Sequence, residues 1–155
     1  MSFGRLLLAA ATAAYLGWLG WLGYAVYVAR WTDKPPVVSR AQLVAATHLV
    51  VADVTAGPDG LPAPAAAVAE VLRGDGLSPG ASVEVLNLPA AVPPGAGVFP
   101  GSGKYLLPLV GDGKTFRVAG LPRSPGYEPA SPTRPAIYRW DAGTQAQLRS
   151  LGLVP

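Results

Sequence analysis

The chain contains no cysteine, one histidine and one methionine among its 155 residues. Without cysteine, disulfide bonds and thiolate metal sites are excluded, and cysteine use gives no indication of the redox compartment. A single histidine cannot supply a zinc site built from several imidazoles. Charged residues make up only 14% of the chain, and the carboxylates are scattered singly. Neither a carboxylate pair nor a calcium loop is therefore visible, and we expect no metal site, no cofactor and no catalytic residue.

Charge is missing altogether from Leu6 to Ala29, a run that also lacks proline, asparagine and glutamine. As a helix this run would be about 36 Å long, enough to span the roughly 30 Å hydrocarbon core of a bilayer with some tilt. A cleaved signal peptide is the alternative. Its apolar region is typically only roughly 7 to 15 residues long, and a cut after Ala29 would place the large Tyr27 at the −3 position. We therefore expect residues 1–31 to be a retained single-pass anchor.

Glycine recurs every third residue within the anchor, in the segments Tyr15-Leu16-Gly17, Trp18-Leu19-Gly20 and Trp21-Leu22-Gly23. Three residues turn a helix by about 300°, so the glycines form a stripe that winds slowly around the axis. Small residues on one face permit close approach of a second helix. The candidate helix-packing residues are Ala13, Gly17, Gly20 and Gly23. An apolar segment that is simply rich in alanine, glycine and leucine would show the same stripe without this function.

The two flanks of the anchor give conflicting indications of its orientation. Arg5 precedes the apolar run, whereas Arg30, Lys34 and Arg40 follow it. The positive-inside rule then places the following domain in the cytoplasm. A very short basic N-terminus followed at once by an apolar run is, however, the layout of a signal-anchor, which favours an extracytoplasmic domain. We adopt the extracytoplasmic interpretation and keep the cytoplasmic one open, with Trp31 predicted at the second membrane–water interface.

Proline is absent before Pro35, and all 17 prolines lie at or beyond it. Together with glycine they separate short runs rich in valine and leucine, which is typical of a small all-β domain with many turns. Residues 32–38 are predicted to be an extended linker, because Pro35-Pro36 favours polyproline geometry. The remaining length, residues 39–155, suffices for one small domain and not for two.

The local patterns of this domain predict five strands between two short helices. A capping box, in which the Gln42 side chain reaches back to Ser39, predicts a helix over residues 40–46. Asp141 is a good N-cap for a final helix that ends near Leu151. Pro108 indicates an edge strand or a bulge. The predicted strands are 48–56, 68–73, 82–88, 103–110 and 115–119, with a loop over 57–64 and a tight turn at Gly111-Asp112-Gly113.

Five short strands flanked by a helix at each end indicate a small closed or nearly closed β-barrel. Four segments of this domain, Ala52-Asp53-Val54, residues 68–74, residues 80–85 and residues 103–107, have the strand texture of a known module. In these segments the chain resembles the netrin-like module, an OB-fold variant. The resemblance implies an OB-like five-stranded barrel that acts as a binding module. Animal members of that family carry cysteines, and the branch that inhibits metalloproteinases binds zinc through an N-terminal cysteine. That activity is not carried over to this cysteine-free chain.

His48 is the only base that a serine hydrolase could use in this chain. A dyad with Asp53 is disfavoured, because residues five apart on one strand point to opposite faces. Gly101-Ser102-Gly103 is not a nucleophile elbow, since Pro100 stands where the outer glycine is required. A structural or surface histidine is the simpler interpretation. A cell-envelope hydrolase that uses His48 is kept as the alternative function.

Two further patterns have simple interpretations. Arg73-Gly74-Asp75 spells an adhesion tripeptide, but such short matches are frequent by chance, and this one has good turn chemistry. The chain from Lys114 onwards is basic, which suits an anionic partner or lipid headgroups but is also ordinary for a solvated surface. We expect a membrane-anchored interaction module, in its concrete form an accessory subunit of a membrane assembly. Its expected partners are membrane lipid and a protein or cell-envelope component, and not nucleic acid.

Overall fold

The computed structural model describes residues 3–31, 37–111, 115–121 and 134–154. The chain forms two compact units, Met1–Lys34 and Pro35–Pro155. The first unit consists of helix α1 (Phe3–Trp31), whose described side chains are exposed or half-buried. Within it, Phe3–Val28 is long and apolar enough to cross a membrane, and none of the side chains described in this stretch is buried inside the protein.

The second unit is built from short antiparallel strands and two helices. Its elements are α2 (Arg40–Ala45), β1 (His48–Ala56), β2 (Pro62–Arg73), β3 (Ser82–Glu84), a 3₁₀ turn (Leu88–Ala90), β4 (Gly103–Gly111), β5 (Phe116–Val118), β6 (Tyr138–Arg139) and α3 (Ala142–Ser150).

The predicted loop over 57–64 is partly wrong, because β2 already begins at Pro62, opposite Ala56. Proline is tolerated as the first residue of a strand. The predicted third strand is too long, because β3 ends at Glu84 and Leu88 already belongs to the 3₁₀ turn. Asp112 and Gly113 of the predicted hairpin turn lie outside the described residues.

The strands form one curled antiparallel sheet in the order β3-β2-β1-β4-β5, with β6 also paired to β4. The two ends of this sheet meet. Val85, just after β3, forms a parallel bridge with Phe116 of β5, and the Leu86 N–H donates to the Phe116 carbonyl at 2.9 Å. Asn87 extends the contact, because its Oδ1 accepts from Val118 N at 2.7 Å and its Nδ2 donates to Val118 O at 3.1 Å.

Both faces of the sheet are covered. Alternate residues of β4, namely Tyr105, Leu107 and Leu109, belong to the core inside the curl, whereas Leu106 belongs to a second core that includes Leu148 of α3. A strand that is buried on both faces is a continuous apolar run instead of an alternating one. This explains why residues 105–109 carry no charge although β4 is antiparallel to its neighbours.

Pro108 lies in the middle of the sheet, so its predicted edge or bulge position is wrong. Strand β4 pairs with β1 on one side in a regular register, with Leu49 opposite Pro108, and with β5 and β6 on the other. The Pro108 carbonyl accepts from Ala119 N at 2.8 Å, away from β1. The N and O of one strand residue face the same side, so the missing N–H also faces away from β1. The position of the missing N–H lies between the residues of β4 that pair with β5 and those that pair with β6. The proline therefore removes no hydrogen bond from either ladder.

Candidate functional site

Gln42 is a fully buried polar residue that fixes helix α2 to the sheet. Its Oε1 accepts from the Tyr138 hydroxyl at 2.6 Å, and its Nε2 donates to the carbonyls of Ala119 and Ala136 at 2.7 and 2.9 Å. Ser39 caps α2 as predicted, but the reach of Gln42 back to the cap is wrong, because the Ser39 N–H donates to Tyr138 at 3.0 Å instead. Burial raises the pKa of Tyr138, partly offset by the hydrogen bond from Ser39. The network is satisfied and structural.

Arg73 satisfies the other end of α2. Its Nη2 donates to the carbonyls of Leu43 and Ala46, each at 2.5 Å. A cation beside the last carbonyls of a helix also interacts favourably with the helix dipole. The next residue, Gly74, has φ of 103°, and a Cβ there would collide with the ring of His48. The tripeptide that resembles an adhesion motif is therefore a turn whose arginine is engaged inside the domain.

His48 is half-buried at the start of β1. Its Nε2 lies 3.0 Å from the Asp75 carbonyl, which can only accept, so this nitrogen carries a hydrogen and donates. Its Nδ1 lies 2.9 Å from Thr47 Oγ1, and its ring meets Phe116 edge-to-face at 5.3 Å. Both ring nitrogens thus have partners within the domain's own turns. This geometry is that of a structural histidine and gives the hydrolase alternative no support.

The other residues of the hypothetical hydrolase are not brought to His48. Asp53 is exposed on β1 and lies opposite Lys104 in the β1–β4 register. The Ser102 hydroxyl accepts a hydrogen bond from the Ala56 N–H at 2.8 Å, at the far end of β1. The structure therefore keeps the histidine, carboxylate and hydroxyl groups of the hypothetical hydrolase apart.

Two clefts lie side by side on the second unit and share Val92 and Arg134. The first has a volume of about 610 Å³, and the second about 320 Å³. Small-molecule sites commonly have volumes of roughly 300–1,000 Å³. The first cleft is lined by the turn after β1, the 3₁₀ turn and the loop that follows it, including Asp59, Leu61, Ala90, Val98 and Phe99. The second is lined by Val37, Pro93, Pro94, Leu121 and Tyr138, among others.

The first cleft carries one cation and one anion over an apolar wall. Arg134 is exposed, and its Nη1 donates to the Gly97 carbonyl at 3.2 Å. Asp59 is also exposed, and its Oδ1 accepts from the Leu61 N–H at 3.1 Å, which holds the turn in place. The ring of Phe99 is buried against Tyr105, with ring centroids 5.4 Å apart. This arrangement suits an amphipathic ligand with a charged group above an apolar one.

The Phe99 ring, which lines the first cleft, packs against the buried phenol of Tyr105. Tyr105 Oη donates to the Gly101 carbonyl at 2.7 Å, at the start of β4. Burial raises the pKa of Tyr105, and the nearby Arg139 guanidinium partly offsets this rise. The phenol is therefore a neutral donor at physiological pH, and it stabilises the cleft wall instead of serving as an acid or base.

The exposed large hydrophobic side chains of the second unit concentrate at these clefts. Outside α1, six such side chains are exposed in the described chain, and four of them line the clefts. These four are Val37 at 81%, Val98 at 74%, Leu61 at 46% and Leu121 at 40% exposure. The other two are Val44 and Leu86. The sequence did not predict this patch, because its members come from four segments that lie far apart in the chain.

The helix-packing candidates lie on a free surface of α1 in this single chain. Ala13 is exposed, and a Cβ added at Gly17, Gly20 or Gly23 would meet nothing within 4 Å beyond the helix itself. Helix α1 ends at Trp31, whose side chain lies outside the described residues. Their role in helix packing stays a prediction.

Comparison of the chain with protein-family models, curated proteins and solved structures finds no match.

Proposed function

We propose that this chain is a single-pass membrane protein that displays a small OB-like barrel as a binding module for a protein or cell-envelope component. Its concrete form is an accessory subunit of a larger membrane assembly. The observation that carries the proposal is α1, whose stretch Phe3–Val28 is long and apolar enough to cross a membrane and which belongs to a compact unit of its own. In this proposal residues 1–31 are the anchor, 32–38 the linker and 39–155 the extracytoplasmic domain.

The sheet topology supports the OB-like part of the proposal. An OB-fold is a five-stranded, partly open Greek-key barrel. The order β3-β2-β1-β4-β5, together with the parallel bridge between Val85 and Phe116, joins the first and last strands of the path. The side chain of Asn87 adds two hydrogen bonds at the same seam, the contact between β5 and the residues that follow β3. Helices α2 and α3 cover the outer face, where Leu43 and Leu148 are fully buried.

The positions of the polar side chains support binding in preference to catalysis. His48 and Ser102, which were weighed as catalytic residues, and Arg73, which was weighed as part of an adhesion tripeptide, make hydrogen bonds within the domain. The exposed residues at the clefts are mainly aliphatic, with Arg134 and Asp59 as the charged exceptions. Apolar surface with a few charges is typical of interaction sites.

Two measurements on the full chain test the proposal. Membranes that contain the chain are extracted with alkaline carbonate, with a variant that carries Leu16→Arg and Leu19→Arg as the matched control. We expect the native chain to stay in the pellet and the control to be released, because charge at the centre of a span is costly. Release of the native chain would contradict the anchor.

The interaction part is tested by purification in mild detergent, with the tag placed in turn on this chain and on any partner that it retains. We expect a partner in fixed stoichiometry from both directions. Recovery of the bait alone would contradict the assignment as an accessory subunit. Protease accessibility in intact and opened cells then checks the side of the membrane, and cleavage only in opened cells would favour the cytoplasmic alternative.

A further inference from the structure

The two clefts form one exposed surface, which we call the cleft face: Val37, Leu61, Val98, Leu121 and Arg134. Single exposed aliphatic side chains are ordinary on protein surfaces, but a group of them marks an interaction surface. Here four of the six exposed large hydrophobic residues outside α1 belong to one face. That face also carries an exposed guanidinium where the two clefts adjoin.

The short connection between α1 and the second unit limits which molecules can contact the cleft face. Five residues, 32–36, separate the end of α1 from Val37. Even fully extended, this segment lets Val37 move no more than roughly 20 Å from Trp31, since each residue spans at most about 3.6 Å. If α1 spans the bilayer, Val37 and the cleft that it lines stay close to the lipid surface whatever conformation residues 32–36 adopt. A tethered surface also meets the bilayer at high effective concentration, so modest contacts suffice.

The charges of the face match a lipid headgroup. An exposed guanidinium binds phosphate through two parallel hydrogen bonds and is only weakly hydrated. Arg134 is exposed and has an apolar cleft on either side. Asp59 contributes a carboxylate to the first cleft, so this cleft offers both signs of charge. A headgroup that carries a phosphate and an ammonium group complements both, with hydrocarbon next to the aliphatic side chains.

We infer that the cleft face is a membrane-docking surface, in which Arg134 binds lipid phosphate and the four aliphatic side chains enter the interfacial zone of the bilayer. This inference rests on the proposed membrane anchor. It adds a second attachment to the membrane and gives the β domain one defined orientation on it. The surface of the domain away from the clefts then remains available to a partner protein.

The absence of cysteine makes a direct test possible, because a single introduced cysteine carries a label at one known place. The full chain with Val98→Cys is labelled with an environment-sensitive fluorophore and reconstituted in phosphatidylcholine vesicles that contain a nitroxide lipid as quencher. The matched controls are Val44→Cys and Leu86→Cys, whose side chains are exposed but do not line the clefts. We expect quenching at position 98 to be at least twofold stronger than at position 44 or 86.

The role of Arg134 is tested in the same labelled chain. We expect Arg134→Gln to lower the quenching at position 98 to the control level, whereas Arg117→Gln, an exposed arginine of β5 outside the clefts, leaves it unchanged. Thermal denaturation of each variant confirms that it is folded. Equal quenching at positions 98, 44 and 86, or quenching at 98 that is insensitive to Arg134→Gln, overturns the inference.

Carbonate extraction of the same vesicles separates the two proposals. Release of the chain would show that the anchor is wrong. Retention of the chain with an unquenched label at position 98 overturns the docking surface alone and leaves the cleft face open to a protein partner.

Discussion

The hydroxyl of Tyr138 donates a hydrogen bond of 2.6 Å to the side-chain oxygen of Gln42, 96 positions earlier in the chain. The same hydroxyl accepts from the Ser39 N–H, and the Gln42 amide donates to the Ala119 and Ala136 carbonyls. One buried pair therefore joins α2, the segment after β5 and the start of β6. A buried polar network stabilises a unique packing only when every member is satisfied, and this condition is met at both residues.

Replacement of Gln42 should be among the most damaging single substitutions in the domain. Gln42→Leu keeps a similar volume but leaves the Tyr138 hydroxyl and two carbonyls without their buried partner, so we expect a loss of about 3 kcal/mol in the free energy of unfolding. Chemical denaturation of the full chain in detergent measures this loss. Gln145→Leu, at a half-buried position on α3, is the control and should change stability by no more than about 0.5 kcal/mol. Similar effects of both substitutions would contradict the role assigned to the network.

Arg73 should stabilise the domain through the C-terminal carbonyls of α2. Arg73→Ala removes two charge-assisted hydrogen bonds to Leu43 and Ala46, and we expect it to cost about 2 kcal/mol. Arg73→Lys keeps the charge with a single ammonium and should recover part of this loss. Arg117→Ala, at an exposed position on β5, is the matched control and should be nearly neutral. Equal denaturation midpoints for Arg73→Ala and Arg117→Ala would contradict the role assigned to Arg73.

Asn87 should hold the seam of the curled sheet. Its side chain bonds both the N–H and the carbonyl of Val118, as a neighbouring strand would. Asn87→Ala should therefore speed hydrogen exchange of the Val118 amide at least tenfold and lower stability by about 1–2 kcal/mol. Asn87→Asp keeps the acceptor for the Val118 N–H but loses the donor, so its effect should be intermediate. Unchanged exchange at Val118 in Asn87→Ala would show that the seam closes without this side chain.

Alkaline pH should destabilise the domain through its buried phenols. Burial raises the pKa of Tyr138 above its ordinary value of 10.0, so the folded state retains this proton more strongly than the unfolded state does. The resulting stability is fully present below pH 10 and is lost as the pH rises through the higher folded pKa. Denaturation midpoints at pH 8 and pH 11 should therefore fall less in Tyr138→Phe than in the native chain. An equal fall in both would assign the alkaline loss to other groups.

Local sequence patterns predicted the elements of this fold well. The Ser39 and Asp141 caps occur as expected, with Asp141 Oδ1 accepting from the Thr144 N–H at 2.8 Å. The apolar run near the N-terminus forms a helix, and each predicted strand overlaps an observed one. These features depend on residues within four positions of one another or on the alternation of one strand, so they can be identified without knowledge of the fold.

Predictions that depended on distant neighbours were incorrect or missing. Gln42 was assigned to its own helix cap, but its partners lie in other elements, because a buried amide binds whichever carbonyls the fold brings to it. Pro108 indicated an edge strand or a bulge, but the gap between β5 and β6 accommodates its missing N–H within the sheet. The cleft face was not predicted, since its side chains come from loops spread between residues 37 and 134.

The amino-acid sequence by itself determined an uncharged apolar helix, a short-stranded domain without cysteine chemistry, and the caps of its two small helices. These properties follow from composition and from hydrogen bonds between residues close in the chain. The tertiary structure alone decided how the sheet curls until Val85 meets Phe116, which carbonyls Gln42 binds, and where the exposed aliphatic side chains gather around Arg134. The physical reason is that each of these contacts joins residues far apart in sequence, and their proximity depends on the order in which the strands pair.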